Sequence, residues 1–288
     1  MEWLDEQVRR NRMSRHCWGR YETHRVRVDA VLGAPQGAAD HLCILGAGNC
    51  NDLDLRRLAD RFRRICLVDL DAEALQYGLG VQQPGPASRA GPGPADARPV
   101  PFVLCGGVDV SGIAGRLRDW SPEAPPTDAQ IDSCLQQAGE ATLPVQIPPQ
   151  DVVASVCLLS QMIEAVIVAL GADHPRLLEL IAVLRHRHLQ LILDLLRSGG
   201  RGVVLIDFVS SDTCPSLATV ADSQLGDLAM ELLRNRNFFT GLNPWVLLHR
   251  VNESDLAGQV RHASLTPPWR WEFPARTYAV CALELVKA

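Results

Sequence analysis

The sequence predicts an α/β fold, a mostly parallel, doubly wound sheet with helices on both faces. Three observations predict it. Short runs rich in Val, Ile and Leu recur along the chain, as strands buried on both faces require. Helix-period segments separate these runs, which is the order that helical crossovers between parallel strands produce. The chain of 288 residues, 47% of them hydrophobic, is long and apolar enough to bury one large core.

Residues 1–35 precede the first strand and carry Trp3, Trp18 and Tyr21 among seven arginines. They are expected to form helices over the ligand edge of the sheet, either as a lid or as packing that closes one end. Residues 36–288 then form the main domain. The expected strands are 41–47, 64–70, 101–110, 151–158, 202–209 and 276–286. Between the first two, Leu53, Leu58, Phe62 and Ile65 recur near helical spacing, which gives a strand, helix, strand unit. Val152 to Gly171 is as long as a membrane span but holds Ser155, Ser160, Gln161 and Glu164, so it is read as a buried strand running into a helix. The longest helix is expected from Pro175, in its first turn, to Gly199 and Gly200 at its C-terminus. Residues 82–101, dense in Pro and Gly, predict an exposed loop, and 121–150 a long connection with one short helix.

Composition narrows the function. A net charge of -5 gives no general attraction to nucleic acid or to anionic lipid. Lys287 is the only lysine, a bias that fits a GC-rich coding sequence better than a function. Nine cysteines with no C-x-x-C and no paired spacing with histidine argue against a metal site and fit reduced thiols in the cytoplasm. The charged start, "MEWLDEQVRRNRMSRHCW", lacks the apolar core of a signal peptide.

The stretch "LCILGAGNCNDLDL" (42–55) ends an apolar strand in Gly46, Ala47 and Gly48, a turn that lets a ligand approach the backbone. A dinucleotide loop then needs a third small residue, but Asn51 stands there and Asp52 and Asp54 follow. Two carboxylates repel a diphosphate, so the loop points to a ligand with positive charge. Asp52 is read both as a helix N-cap and as a ligand group. The next expected strand ends at Asp69, 21 residues after Gly48, where a carboxylate can accept from both hydroxyls of a ribose. The third ends in "GGVDV", with Asp109 in reach of an adenine amino group or simply holding a turn.

In this order the motifs of residues 40–210 resemble the class I S-adenosylmethionine-dependent methyltransferase family. The resemblance implies a Rossmann-like sheet of seven strands whose last pair is antiparallel. It implies that Gly46, Ala47 and Gly48 line the methionine part of S-adenosylmethionine, that Asp69 holds the ribose, and that Asp109 with Val110 frames the adenine. Asn49, Leu70 and Ser155, beside these positions or at a strand end, complete the candidate cofactor set. Two positions depart from the family: Leu45 stands where an acidic residue is usual, with Asp52 as the substitute charge, and Gln161 stands where histidine is common.

Methyl transfer needs alignment and removal of a proton rather than a fixed triad, so the acceptor is hard to read. The chain lacks the D/N-P-P-Y/F motif of base-modifying enzymes after the fourth strand. The expected activity is methyl transfer to a small molecule, with S-adenosylhomocysteine as product; the rivals are aminocarboxypropyl transfer and S-adenosylmethionine binding without turnover. The arginines at 9, 10, 12, 15, 20, 25 and 27 allow an anionic acceptor, or form a solvated face. His24, Tyr21 and Gln161 are the candidate catalytic residues, Ser155, Gln161, Asp207 and Asp212 the candidates on the substrate side. His186 and His188, two apart on the long helix, are read as surface or packing residues. The "PPWRWEF" stretch is a recognition loop or the seal of a sheet edge.

Overall fold

The computed structural model describes residues 2–33, 40–82, 102–253, 255–273 and 276–288. Helices α1 (Glu2–Ser14) and α2 (Glu22–Val31) come first. The alternating part follows as β1 (His41–Leu45), α3 (Leu55–Arg61), β2 (Arg64–Asp69), α4 (Ala72–Gln82), β3 (Phe102–Gly106), α5 (Ala114–Leu117), α6 (Asp128–Glu140), β4 (Gln150–Val156), α7 (Leu158–Leu170), α8 (Leu177–Leu195) and β5 (Leu196–Ser210). The chain ends in α9 (Leu225–Arg234), α10 (Pro244–Glu253), β6 (Val260–Leu265), β7 (Trp269–Phe273) and β8 (Arg276–Lys287).

Strands β1 to β5 are parallel and lie in the order β3-β2-β1-β4-β5, with β8 antiparallel to β5 and followed by β6. After β3 the chain crosses to the other side of β1. That reversal opens a crevice beyond the C-terminal ends of β1 and β4, where sheets of this kind bind ligands. The doubly wound, mostly parallel sheet expected from the alternation, with the Rossmann-like order that the resemblance implies, is therefore present.

The parity of each strand decides which core it feeds. Cys43, Leu45, Val153, Val204 and Ile206 face α6 to α10, while Leu42, Ile44, Val152, Val203 and Leu205 face α2, α3 and α4. Both faces are apolar because both are covered, which is why these strands read as continuous apolar runs.

Three expectations change. The main path of the sheet has the seven strands expected, and the "WRWEF" segment, expected as a loop or an edge seal, adds strand β7 off that path, paired with β8 from Trp269 opposite Val280 to Phe273 opposite Arg276. Its alternation of aromatic and polar residues is a strand period. The long helix stops at Leu195, since Leu196 already pairs with Gln150 as part of β5 and Gly199 takes φ +72° inside that strand. The helix within 121–150 is not short: α6 runs for 13 residues, started by a reciprocal cap between Thr127 and Gln130. The expected loop 82–101 lies outside the described residues apart from Gln82, which ends α4, and so does the boundary at 35 and 36.

Candidate functional site

A cavity of about 810 Å³ opens at the C-terminal edge of the parallel strands. Gly46, Ala47, Gly48, Asn49, Asp52, Asp69, Leu70, Asp109, Val110, Gln161 and Tyr21 all line it, so most of the residues singled out in the sequence meet in one place.

The glycine turn has the conformation that only glycine takes easily: φ is +76° at Gly46 and +49° at Gly48. A Cβ at Gly46 would stand 2.8 Å from that of Leu158, so α7 packs directly on the turn. Three successive amides of the turn are already used. Gly46 and Ala47 donate to the Val68 carbonyl at 2.9 and 3.2 Å, and Gly48 donates to Asp69 Oδ2 at 2.8 Å. Amides spent on β2 are not free to cradle a phosphate, which agrees with the charge argument against one.

Asp69 also accepts from the Asp71 amide at 2.8 Å, and burial pushes its carboxyl up to about 6. Each carboxylate oxygen keeps a lone pair, the acceptor set that two ribose hydroxyls require. Asp71, not singled out in the sequence, joins it in the cavity, accepting from the Ala74 amide at 3.0 Å and from Asn11 Nδ2 at 3.1 Å. The two-residue spacing in "LVDLD" was its signal. Asp109 accepts from Ser111 N and Oγ and from Ala114 N at 2.6–2.9 Å, so it holds the turn after β3 while lining the cavity.

Asn51, which breaks the dinucleotide pattern, and its neighbour Asn49 bind the first helix. Asn49 Nδ2 donates to the Asn11 carbonyl at 2.5 Å and to Ser14 Oγ at 3.1 Å, and Asn51 Nδ2 donates to the Ser14 carbonyl at 2.8 Å. A helix end has carbonyls without intrahelical partners, and these side chains supply them. Helix α1 is thereby laid across the cavity, with Glu6, Arg10, Asn11 and Ser14 in its wall. Its arginines are consumed by carboxylates. Arg9 pairs with Glu6, Arg10 with Glu164 at 2.5 Å, and Arg12 and Arg15 both reach Glu73. An anionic acceptor held by these arginines is not what their partners indicate.

Asp54, not Asp52, caps α3, accepting from the Arg57 amide at 3.1 Å. Asp52 instead turns into the cavity, where burial pushes it up to about 7 and its Oδ1 has no hydrogen-bond partner. His24 Nε2 faces that oxygen at 3.5 Å, and Trp269 Nε1 donates to His24 Nδ1 at 3.0 Å. With Nδ1 accepting, the proton of the neutral ring must sit on Nε2, toward Asp52. The ring is stacked on Trp271 at 4.7 Å, and burial lowers its basicity to about 3. His24 does not line the cavity, and as a proton acceptor it is therefore corrected: it is a neutral support behind Asp52.

Ser155 is the other correction. It lies in β4 with the parity of Val153, toward α8, and its hydroxyl bonds to His188 Nε2 at 2.8 Å, away from the cavity. His188 is accordingly a buried packing residue, and His186 sits near the surface beside Asp255. Gln161 lines the cavity with its amide donating to the Cys157 carbonyl at 3.2 Å. Cys157 itself takes φ +45°, a strained turn that carries the chain from β4 into α7. Asp207 lies in the cavity wall, whereas Asp212 is outside it, paired with Arg276 at 3.0 Å.

No family model and no curated protein matches the sequence. Solved structures resemble its fold. The chain is similar to the N-methyltransferase NodS from Bradyrhizobium japonicum WM9 in complex with S-adenosyl-L-homocysteine, at 10% identity over 100% of this chain and 99% of that one, with a TM-score of 0.44. It is also similar to a SAM-dependent methyltransferase from Methanosarcina mazei, at 8% identity over 87% of this chain and 93% of that one, with a TM-score of 0.45.

Proposed function

We propose that the protein binds S-adenosylmethionine at the C-terminal edge of β1 to β3 and transfers its methyl group to a small-molecule acceptor in the remainder of the cavity. The observation that carries this proposal is the convergence of Gly46 to Gly48, Asp69 and Asp109 on one cavity with no amide cradle for phosphate. The cofactor supplies an activated methyl group on a sulfonium leaving group. The chain would bind and orient it: Asp69 and Asp71 at the ribose hydroxyls, Asp109 and Val110 at the adenine, the glycine turn against the methionine part, and Asp52 facing its ammonium. Leu45 is fully buried in the core, so the substitute charge at Asp52 is the one within the cavity.

Helix α1 would act as the lid of this site. No described helix is long and apolar enough to cross a membrane. The nine free cysteines support the reading of a cytoplasmic protein.

Isothermal titration with S-adenosylmethionine and S-adenosylhomocysteine tests the proposal. Micromolar binding of both is expected; absence of binding to folded protein would sink it. Turnover should yield S-adenosylhomocysteine, whereas methylthioadenosine would identify aminocarboxypropyl transfer instead.

A further inference from the structure

The half of the cavity away from Asp69 is a chamber of aromatic rings. Tyr21, Trp271, Phe273 and Tyr278 all line it, with Trp271 centred 5.5 Å from Tyr21, 5.6 Å from Phe273 and 5.2 Å from Tyr278. Asp207 of β5 is in the same wall, 7% exposed, and its Oδ1 has no hydrogen-bond partner. Two further buried polar atoms here have none either, the Tyr21 hydroxyl and Trp271 Nε1, on residues 2% and 8% exposed. A buried polar group without a partner costs about 1–3 kcal/mol; the Asp207 oxygen and the Tyr21 hydroxyl can both accept from a ligand that donates, whereas Trp271 Nε1–H is a donor and calls for an acceptor elsewhere on that ligand.

The charge of that ligand follows from what surrounds it. Aromatic faces attract a cation, and a buried carboxylate binds one. The arginines that line the cavity are already paired, Arg9 with Glu6, Arg10 with Glu164 at 2.5 Å and Arg276 with Asp212 at 3.0 Å, and the Arg276 guanidinium lies 5.9 Å from the centre of the Tyr278 ring, so that ring already faces one cation. Position separates the chamber from the cofactor end. Asp69 ends β2 and Asp207 lies on β5, three strands away in the order β2-β1-β4-β5, about 14 Å at ordinary strand spacing.

We infer that the methyl acceptor is a cationic amine, held as its ammonium by the Tyr21, Trp271, Phe273 and Tyr278 rings, with Asp207 as the group that removes its proton. The inference rests on the proposed use of S-adenosylmethionine. In the step, the ammonium gives a proton to the Asp207 carboxylate and the freed nitrogen lone pair forms the new N–C bond. The C–S bond breaks with its electron pair passing to sulfur, which leaves as the neutral thioether of S-adenosylhomocysteine. The methylated nitrogen carries the positive charge, and Asp207 returns its proton to water as the product leaves. Burial holds the Asp207 carboxyl at about 7, with Ser160 and Cys157 against it limiting the rise, so it can take a proton and release it near neutral pH.

The test is titration calorimetry of the full chain with benzylamine, benzyl alcohol and benzoate, each with and without saturating S-adenosylhomocysteine. Benzylammonium should bind at least tenfold more tightly than either isostere in one or both arms, and Asp207→Asn should remove that preference while S-adenosylhomocysteine still binds. Trp271→Leu should weaken benzylammonium in the same way. Equal binding of the alcohol, or preference for benzoate, in both arms would overturn the inference. Failure of S-adenosylhomocysteine to bind would overturn the cofactor proposal alone, because the arm without it still reads the charge preference.

Discussion

Asp69 is the residue on which the cofactor half of the cavity turns, because it joins the glycine turn to the end of β2 through the Gly48 amide and accepts the Asp71 amide as well. Asp69→Ala leaves both donors without their partner, at a cost of about 1–3 kcal/mol, and removes the acceptor for the ribose. S-adenosylhomocysteine affinity should fall at least tenfold by calorimetry while the circular dichroism spectrum stays that of a folded α/β protein; unchanged affinity would reject the assignment. His24 makes the complementary case. His24→Phe keeps a ring on Trp271 but removes the acceptor for Trp269 Nε1 and the Nε2–H that faces Asp52, so it should destabilise the chain by about 1–3 kcal/mol in denaturant titration. Residues such as Gly46, Asp69 and Asp109 were legible in the sequence because each sits at the end of its own strand or in the turn just after it, where position along the chain determines position at the edge. Ser155 was misplaced for a related reason: one step along a strand reverses the face, and only the observed register puts it opposite α8. His24 was misplaced because nothing local says that a helix presents it to Trp269, 245 residues later.

At the scale of elements, the first helix and the last hairpin do what the central strands cannot. The parallel strands were legible as apolar runs, but the β7–β8 pairing was not, since it takes the Trp269 opposite Val280 register to bring Trp271, Phe273 and Tyr278 together. Helix α1 was legible as a helix over the edge; that its anchors are Asn49 and Asn51 was visible only as a broken glycine pattern. Those anchors, together with ion pairs at solvent-exposed positions such as Arg12 with Glu73, hold it against the cavity. Exposed pairs contribute about 0–1 kcal/mol each, so α1 can release without unfolding the sheet. Asn51→Ala removes a single hydrogen bond from a buried amide to the Ser14 carbonyl, so it should cost about 0.5–1.5 kcal/mol of stability, yet raise the dissociation rate of S-adenosylhomocysteine several-fold in stopped-flow measurements. A dissociation rate equal to that of the parent would mean that α1 is plain packing.

For the molecule as a whole, the site is a store of unfavourable charge. Burial pushes Asp52 and Asp207 up to about 7 and Asp69 to about 6, against 3.8 for a free carboxyl. A carboxyl whose basicity is raised on folding binds its proton more tightly in the native state, so its contribution is present at low pH and is lost as pH rises through the folded value. His24 and His188, lowered to about 3 and about 4 by burial, act in the opposite sense, but only up to the 6.5 of a free imidazole. Between pH 6.5 and 8 the carboxylates of Asp52 and Asp207 therefore contribute a loss of about 1–2 kcal/mol in the ligand-free protein, opposed by Cys66, whose thiol the Cys43 hydrogen bond lowers to about 7. Differential scanning calorimetry should show the melting temperature falling over that window. The double variant Asp52→Asn, Asp207→Asn should be flatter and more stable at pH 8 than the parent. A cationic ligand offsets the charge it meets, so saturating S-adenosylmethionine, whose ammonium faces Asp52, should cancel the Asp52 share of the fall in the parent and little in the variant. Parent and variant melting in parallel from pH 6.5 to 8 would show that these carboxylates are not what the cavity holds in reserve for a cation.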